Sequence, residues 1–447
     1  MNKEEIVTLI ENGSHDIPKL KALLSEMNIA DIAEIFEELN TEKTIQVFRI
    51  LPKAIASDVF THMESDRQQS IIEALTDTEI GEIMNLLFVD DAVDFIEEMP
   101  ANVVRRALKN VQGDKRRMIN QILKYPDDSA GSIMTTEYVA LREDATVQEA
   151  FDTIRKTGLN KETIYTCYVI RSNRLLVGVV TAKTMMLSSP TDLIGDIMDS
   201  NVVFAHTTDD RETIADQFQK YDFLAMPVVD KEQLLVGIIT VDDIVDVIVE
   251  ESTEDIEKMG ALKPSDEPYM KTGVTQLAKN RFVWLLVLML SATITSTIIE
   301  GFEESLAMMP ILVAFIPMLM DTGGNSGAQA STLIIRGMAL GDIRLRDFLR
   351  VFWKEIRVAL LCGVALSVVN FGRIYLMHDR NILLSLTVSL TLICTVVVAK
   401  SLGGLLPMLA KRLRIDPAMM SAPVITSIAD AASLLMYFSI ARMILGL

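Results

Sequence analysis

Over the first 130 residues, apolar positions recur at helical spacing and are interrupted every 11–13 residues. The interruptions are Leu39-Asn40-Thr41, Leu51-Pro52, Met63-Glu64-Ser65, Leu75-Thr76-Asp77, Phe88-Val89-Asp90 and Met99-Pro100. Between them, sets such as Ile32, Ile35, Phe36 and Leu39 mark one helix face. Ser, Thr or Asp stands where an N-cap belongs, and Pro52 and Pro100 suit first-turn positions. This pattern predicts an all-α helical-repeat domain over residues 1–131.

From residue 132 the period shortens and the sequence repeats. Ile133-Met134-Thr135 returns as Ile197-Met198-Asp199, and Leu176-Val177-Gly178-Val179-Val180-Thr181 returns as Leu235-Val236-Gly237-Ile238-Ile239-Thr240. Each copy reads loop, helix (145–157; 211–220), strand (165–171; 225–230), turn, strand, helix. Two α/β units of β-α-β-β-α order are predicted, over 132–196 and 197–252, with a Thr after each second strand placed to cap the next helix. Residues 242–266 read as one connecting helix ending near Gly260–Pro264. Beyond Gln276, five stretches meet the ~20-residue need of a membrane-crossing helix: 282–302, 307–336, 352–376, 382–409 and 418–445. Residues 276–447 are therefore predicted to form a five-span α-helical membrane domain, with Pro310, Pro317 and Pro407 as places to bend.

Charge follows the same division. The last 172 residues carry 15 Lys and Arg against 10 Asp and Glu, while the first 275 carry 27 against 51. An acidic soluble part argues against nucleic acid as a partner. Cys167, Cys362 and Cys394 are scattered, which disfavours a disulfide framework or a zinc site. The opening MNKEEIVTLIENG has no apolar signal core, so the soluble part is expected in the cytoplasm. Arg336, Arg344, Arg346 and Arg350 follow the second span, and Lys411, Arg412 and Arg414 follow the fourth. Basic loops stay inside, which predicts a multi-pass protein of the inner (plasma) membrane, with the N-terminus in the cytoplasm and the C-terminus outside. No Walker motif or nucleophile–base pair points to an enzyme.

The unusual chemistry lies at membrane depth. The segment Pro310–Arg336 carries Asp321, Thr322, Gly323, Gly324, Asn325, Ser326, Gly327, Gln329, Ser331 and Thr332 beside Leu, Ile and Met. Unpaired polar groups in hydrocarbon cost several kcal/mol, so these residues face protein, water or a cation. The structural alternative is a tight helix–helix contact. Asp430 lies within the fifth span, with Thr426, Ser427 and Ser433 at helical spacing around it. The structural alternative there is a buried, hydrogen-bonded carboxylate. Oxygen donors without thiolates or a His cluster suit a hard divalent cation; composition does not choose among Mg2+, Mn2+, Co2+ and Ca2+. In the soluble part, Asp91, Asp94 and Glu98 share a helix face within the run Asp90 to Glu98, and the second α/β copy is densely acidic. Those carboxylates form either a solvated face or a cation site.

The two tandem α/β units resemble a pair of CBS domains, which commonly sense adenosine nucleotides or ions, or dimerise. The whole chain is similar to the MgtE family of magnesium channels. The most specific pieces are Gly323-Gly324-Asn325-Ser326-Gly327-Ala328-Gln329-Ala330-Ser331-Thr332, and Asp416-Pro417-Ala418 followed by Asp430. The resemblance implies a homodimer with a Mg2+-selective central pore from the second and fifth spans, Asp430 binding hydrated Mg2+. Asn325, Gly324, Thr332, Ala422 and Thr426 complete the expected pore set. It implies that the helix at 242–266 is a gating plug, and that cytosolic Mg2+ bound between the N and CBS domains closes the channel. The sensor ligands implied are Asp210, Glu212, Asp222, Asp243, Asp246, Glu251, Glu254 and Asp255, with Asp91 and Asp94 from the N domain. Mg2+ would then be both substrate and regulator. Some family members also bind ATP at the CBS pair, and no nucleotide motif here decides that point. Two other readings remain open: a divalent-cation transporter coupled to Na+ or H+, and a membrane-anchored CBS nucleotide sensor.

Overall fold

The computed structural model describes residues 3–11, 17–265, 269–420 and 422–446. The chain divides into two compact units, Met1–Ile248 and Val249–Leu447.

The first unit begins with ten short helices among the described residues: α1 (Lys3–Glu11), α2 (Ile17–Ser25), α3 (Ile29–Glu38), α4 (Thr41–Phe48), α5 (Lys53–Thr61), α6 (Ser65–Ala74), α7 (Asp77–Leu86), α8 (Val89–Glu98), α9 (Ala101–Lys109) and α10 (Gly113–Ile122). The predicted interruptions fall at their junctions. Asn40 caps α4 by accepting from the Lys43 N–H at 2.9 Å, and Thr76 and Glu79 form a reciprocal capping box on α7. Pro52 and Pro100 occupy the N-cap positions of α5 and α9. Alternate helices stack, with α1, α3, α5, α7 and α9 in one row. Phe36, Phe48, Phe60 and Phe95 form a ladder through the core, with ring centroids 6.4, 6.4 and 5.2 Å apart.

Two three-stranded sheets follow. The first contains β1 (Ala140–Arg142), then β2 (Thr166–Ile170) after α11 (Val147–Thr157), then β3 (Leu176–Thr181); α12 (Ala182–Leu187) and α13 (Ile194–Ile197) follow. The second has β4 (Ala205–His206), α14 (Arg211–Tyr221), β5 (Ala225–Val229) and β6 (Leu235–Thr240) in the same order. In each sheet the first strand is parallel to the second and the second antiparallel to the third. The two repeated motifs meet across the copies. Thr135 pairs with Ile238 through bonds of 2.8 and 2.9 Å, and Asp199 pairs with Val179 through bonds of 2.8 and 2.9 Å. Each Ile-Met-x segment thus edges the third strand of the other copy. The Gly of that strand is needed for the approach: a Cβ at Gly237 would lie 2.7 Å from Met134 Sδ and 2.7 Å from the Thr135 carbonyl oxygen.

Helix α15 (Val241–Met259) follows, and the division between the units falls inside it. It stops before the sequence-predicted end. Ala261 takes a left-handed φ of 54°, and the Leu262 N–H returns to the Glu257 carbonyl at 2.9 Å, closing the last turn.

The second unit contains α16 (Val274–Gly301), α17 (Glu303–Met308), α18 (Ile316–Ala339), α19 (Phe348–Met377), α20 (Ile382–Arg412) and α21 (Ala422–Leu445). Helix α20 packs against α18, α19 and α21, and α16 packs on α21. Among the described residues, four helices are long and apolar enough to cross a membrane: Val274–Gly301, Leu345–Met377, Ile382–Arg412 and Ala422–Leu445. The stretch at 307–336, read as a single span, is divided. Residues 310–315 form a 3-10 turn, and α18 begins only at Ile316. Its 24 residues give a length of about 36 Å, but the polar run from Asp321 to Thr332 keeps it from being uniformly apolar.

Candidate metal sites

Helix α8 buries Val89, Ala92, Val93, Phe95 and Ile96, and it buries Asp90 with them. Asp90 is 6% exposed, and its Oδ1 has no hydrogen-bond partner among the described residues. A chain of bonds brings other carboxylates to the same place. Thr135, held on Ile238, donates its hydroxyl to Glu137 Oε2 at 2.8 Å, and the Glu162 N–H donates to the Glu137 carbonyl at 2.8 Å. At the start of α15, Thr240 Oγ1 donates to Asp243 Oδ2 at 2.6 Å. Glu162 Oε2 is a second buried oxygen without a partner. Lys115, whose ammonium donates to the Leu87 carbonyl, is the basic group set among these acids.

The electrostatics follow from burial and crowding. Burial, then the charges of Asp243 and Asp91, hold Asp90 well above the usual carboxylate range. Burial raises Asp243 to about 7, against the opposing Thr240 hydroxyl, and raises Asp91 to about 6. Burial, then Asp91 and Asp242, raise Glu162 to about 8. Asp94 also stands raised, by crowding from the surrounding protein and then by Asp243 and Asp91, although the residue itself is exposed to solvent. Burial lowers Lys115. Near neutral pH these acids do not all ionise together unless a cation offsets their repulsion. Two orphaned buried oxygens and an all-oxygen donor set fit a hard cation. Among the described residues no three His, Cys, Asp or Glu side chains converge on one ion position.

The structure therefore gathers Asp91, Asp94 and Asp243 from the sequence-derived set. It adds Asp90, Glu137 and Glu162, which that set lacked. Asp90 was legible, because it stands four residues before Asp94 on the Val93 side of the helix. Glu162 carried no sequence signal; a loop contact delivers it. The other expected ligands are spread along α14 and α15. Asp210 caps α14, accepting from the Glu212 N–H at 2.9 Å; Glu212 lies in the first turn, and Asp222 is the C-cap at φ 54°. Asp246 is exposed on α15.

Glu251, Glu254 and Asp255 lie beyond the division, on the part of α15 in the second unit. Here Lys258 already supplies a cation: its ammonium is 2.8 Å from Glu254 Oε1 and 2.7 Å from Asp416 Oδ2. Partial burial lowers the Lys258 pKa, but the bonds to Asp416 and Glu254 outweigh it, and the group stands above its usual value. Burial and then Asp416 raise Asp255. Asp416 Oδ1 also caps the 3-10 turn Pro417–Met419 through the Ala418 N–H at 2.8 Å. That turn precedes α21, which begins at Ala422 rather than at 418.

In the membrane-type bundle, the glycines of α18 sit where neighbouring helices come closest. A Cβ at Gly323 would lie 2.9 Å from both Ser433 Oγ and Thr395 Cγ2, and one at Gly324 would lie 2.7 Å from Thr426 Cγ2. At Gly327 it would meet Ile425 Cγ2 at 2.7 Å, while Gly403 of α20 rests on the Gly327 carbonyl. Tight helix packing is thus present. It does not account for the carboxylates. Asp430 Oδ1 is buried with no hydrogen-bond partner among the described residues, and Asp321 is close enough to act on it electrostatically. Asn325 Nδ2 donates to Asp321 Oδ1 at 3.1 Å. Gly324 and Thr426 are in contact, whereas Asn325 and Thr332 are exposed on the single chain. Lys400, buried within α20, is a further ionisable group at this depth that the sequence reading passed over.

Comparison with known proteins places this arrangement. Residues 316–440 match the MgtE family of divalent cation transporters, 27–128 the MgtE intracellular N domain, and 130–188 and 194–250 the CBS domain. The magnesium transporter MgtE of Thermus thermophilus is 38% identical over 435 residues, covering 96% of both chains. The chain belongs to the MgtE family. Magnesium transporter MgtE of Bacillus subtilis is 30% identical over 436 residues, 98% of this chain and 96% of that one. Among solved structures, the cytosolic domain of the Mg2+ channel MgtE in complex with ATP is 32% identical, with a TM-score of 0.52 over 55% of this chain and all of that one. The soluble part of a magnesium transporter matches at 28% identity with a TM-score of 0.53, over 56% of this chain and all of that one. This MgtE chain is a membrane transporter and not an enzyme, with a helical N domain, CBS domains and apolar C-terminal helices, and Mg2+ is the ion its family carries.

Proposed function

We propose that this MgtE chain is a Mg2+-selective channel, working as a homodimer whose pore is built by α18 and α21. Asp430 binds the hydrated ion. Asn325, Gly324, Thr332, Ala422 and Thr426 shape the path, the exposed Asn325 and Thr332 facing the second copy. The observation that carries this reading is the buried, unpartnered Asp430 oxygen beside the glycine row of α18, since an ionisable group at that depth needs a function to offset its cost. Helix α18 supplies the fifth span. The N-terminus and CBS domains then face the cytoplasm and the C-terminus lies outside, consistent with the basic loops.

The proposed organisation is an N domain to 131, CBS domains over 132–196 and 197–252, α15 as the plug, and a pore domain from 276. Cytosolic Mg2+ binds the acidic clusters, through Asp91, Asp94 and Asp243 with Asp90 and Glu162, through Asp210, Glu212, Asp222 and Asp246, and through Glu251, Glu254 and Asp255. Such an ion biases the gate only if it binds the closed form better than the open one; crowded carboxylates supply that difference, because the compact form needs the cation and the open form does not. ATP binding at the CBS pair is suggested by the ATP complex of the relative.

The test is Mg2+ flux into proteoliposomes at low and high Mg2+ on the CBS side. The native chain is expected to conduct at low Mg2+ and close at high Mg2+, and Asp243→Asn to stay open at both. If Asp243→Asn closes as the native chain does, the cluster is not the sensor. If native flux requires an opposing Na+ or H+ gradient, the chain is a coupled exchanger.

A further inference from the structure

A cavity of about 260 Å³ opens in the second unit, where the first turns of α16 meet the chain leaving α15. Leu262, Lys263, Lys279, Val283, Trp284 and Met419 line it. Its chemistry is split. Lys263 and Lys279 are exposed, and neither ammonium has a carboxylate partner among the described residues. Lys258, also on the wall, is already held by Glu254 and Asp416. Apart from Asn280, the rest of the lining is apolar. The Lys263 N–H donates to the Asn280 carbonyl at 3.1 Å, and the buried Asn280 side chain accepts from Gln276 Nε2 at 3.2 Å. These bonds fix the Lys263 backbone to α16. No residue in the apolar window of α16 is fully buried, so the helix face that leads away from the cavity suits hydrocarbon.

Unpaired cations above an apolar wall, at the start of a membrane span, complement a phosphodiester with acyl chains attached. We propose that this cavity binds the headgroup and glycerol of one anionic phospholipid, with Lys263 and Lys279 on the phosphate and Trp284 against the glycerol. The proposal rests on α16 crossing the membrane and is independent of the ion pathway. The lipid would link the α15–α16 connection to the bilayer.

The chain has two tryptophans, so Trp353→Phe leaves Trp284 as a single fluorescent probe at the site. The full-length variant is reconstituted in phosphatidylcholine vesicles containing increasing mole fractions of either brominated phosphatidylglycerol or brominated phosphatidylcholine. Brominated phosphatidylglycerol is expected to quench Trp284 at a lower mole fraction. Lys263→Gln and Lys279→Gln should each reduce that preference about fivefold, with Mg2+ flux and melting unchanged. Equal quenching by the two lipids, or a preference abolished by inorganic phosphate, would overturn the lipid assignment. So would quenching by neither lipid, which would mean that a second copy covers the cavity. An equal loss from Lys411→Gln with Arg412→Gln, at the end of α20, would mean diffuse surface attraction and would also overturn it.

Discussion

If the acidic cluster of the first unit is a Mg2+ site, binding must release protons. In the absence of a cation, Glu162 stands at about 8, Asp243 at about 7 and Asp91 at about 6. At pH 7 Glu162 is then mostly protonated, Asp243 about half, and Asp91 about one-tenth. A divalent ion requires the carboxylates it contacts to be ionised, so filling the site should expel about one to two protons per chain from these three groups, and more from Asp90 and Asp94, which burial also raises. The contribution of the three should rise toward pH 6 and fall below about one-half by pH 9. The same shifts fix the sign of the stability effect. The folded-state values are raised, so the folded chain holds more protons than the unfolded chain between pH 4 and 8, and stability is lost as pH rises through that window. For Asp243, whose usual value is 3.8, the loss is about 3–4 kcal/mol. Saturating Mg2+ should flatten the slope. Titration calorimetry of the full chain in buffers of different ionisation enthalpy counts the protons, and melting with EDTA or Mg2+ at pH 5.5 and 8 reads the slope. Asp90→Asn should raise the melting point in EDTA and shrink the Mg2+ response. Mg2+ binding with no proton release at pH 7, together with pH-independent melting in EDTA, would refute the reasoning.

Three further outcomes are expected. Gly327→Val places a side chain against Ile425 and the Ala399 carbonyl, where a Cβ alone would sit 2.7 and 3.2 Å away; it should cost about 1–3 kcal/mol and abolish flux, whereas Gly372→Ala, which meets nothing within 4 Å, should be neutral in melting and transport. Lys258→Met leaves Glu254, Asp255 and Asp416 without their cation and should cost about 1–2 kcal/mol; hydrogen exchange over 254–262 should speed up without divalent ions and recover with Mg2+. Thr76→Ala removes the α7 capping box and should lower the stability of the first unit by about 1 kcal/mol, read from its melting transition with Mg2+ flux unchanged.

The helical junctions of the N domain were legible in the sequence, because caps and prolines act within a few residues of where they stand. The duplicated α/β unit was legible for the same reason, but its crossing was not. That Ile133-Met134-Thr135 serves the second sheet and Ile197-Met198-Asp199 the first is a long-range pairing with no local signature. The break at Ile316 was half visible: Pro310 and Pro317 mark it, yet the continuous apolar run hid the 3-10 turn between them. In the acidic cluster, helix periodicity favoured Asp91, Asp94 and Glu98 as one face. Burial instead selects Asp90, and a loop brings Glu162, so which carboxylates meet is a tertiary fact. Lys258 could not be paired with Asp416 from sequence, since 158 positions separate them. Asp430 was the clearest candidate, because a carboxylate amid apolar residues is costly wherever the helix packs.

The central claim rests on Asp430, and the direct measurement is Mg2+ current through the full chain in planar bilayers at low Mg2+ on the CBS side, comparing the native chain with Asp430→Asn. The substitution keeps the shape of the side chain and removes its charge. Ohmic Mg2+ current is expected in the native chain and at least a tenfold loss in Asp430→Asn, equivalent to about 1.4 kcal/mol or more at the ion site, with melting unchanged. Native-like current through Asp430→Asn would make Asp430 a structural carboxylate and would contradict the pore proposed here.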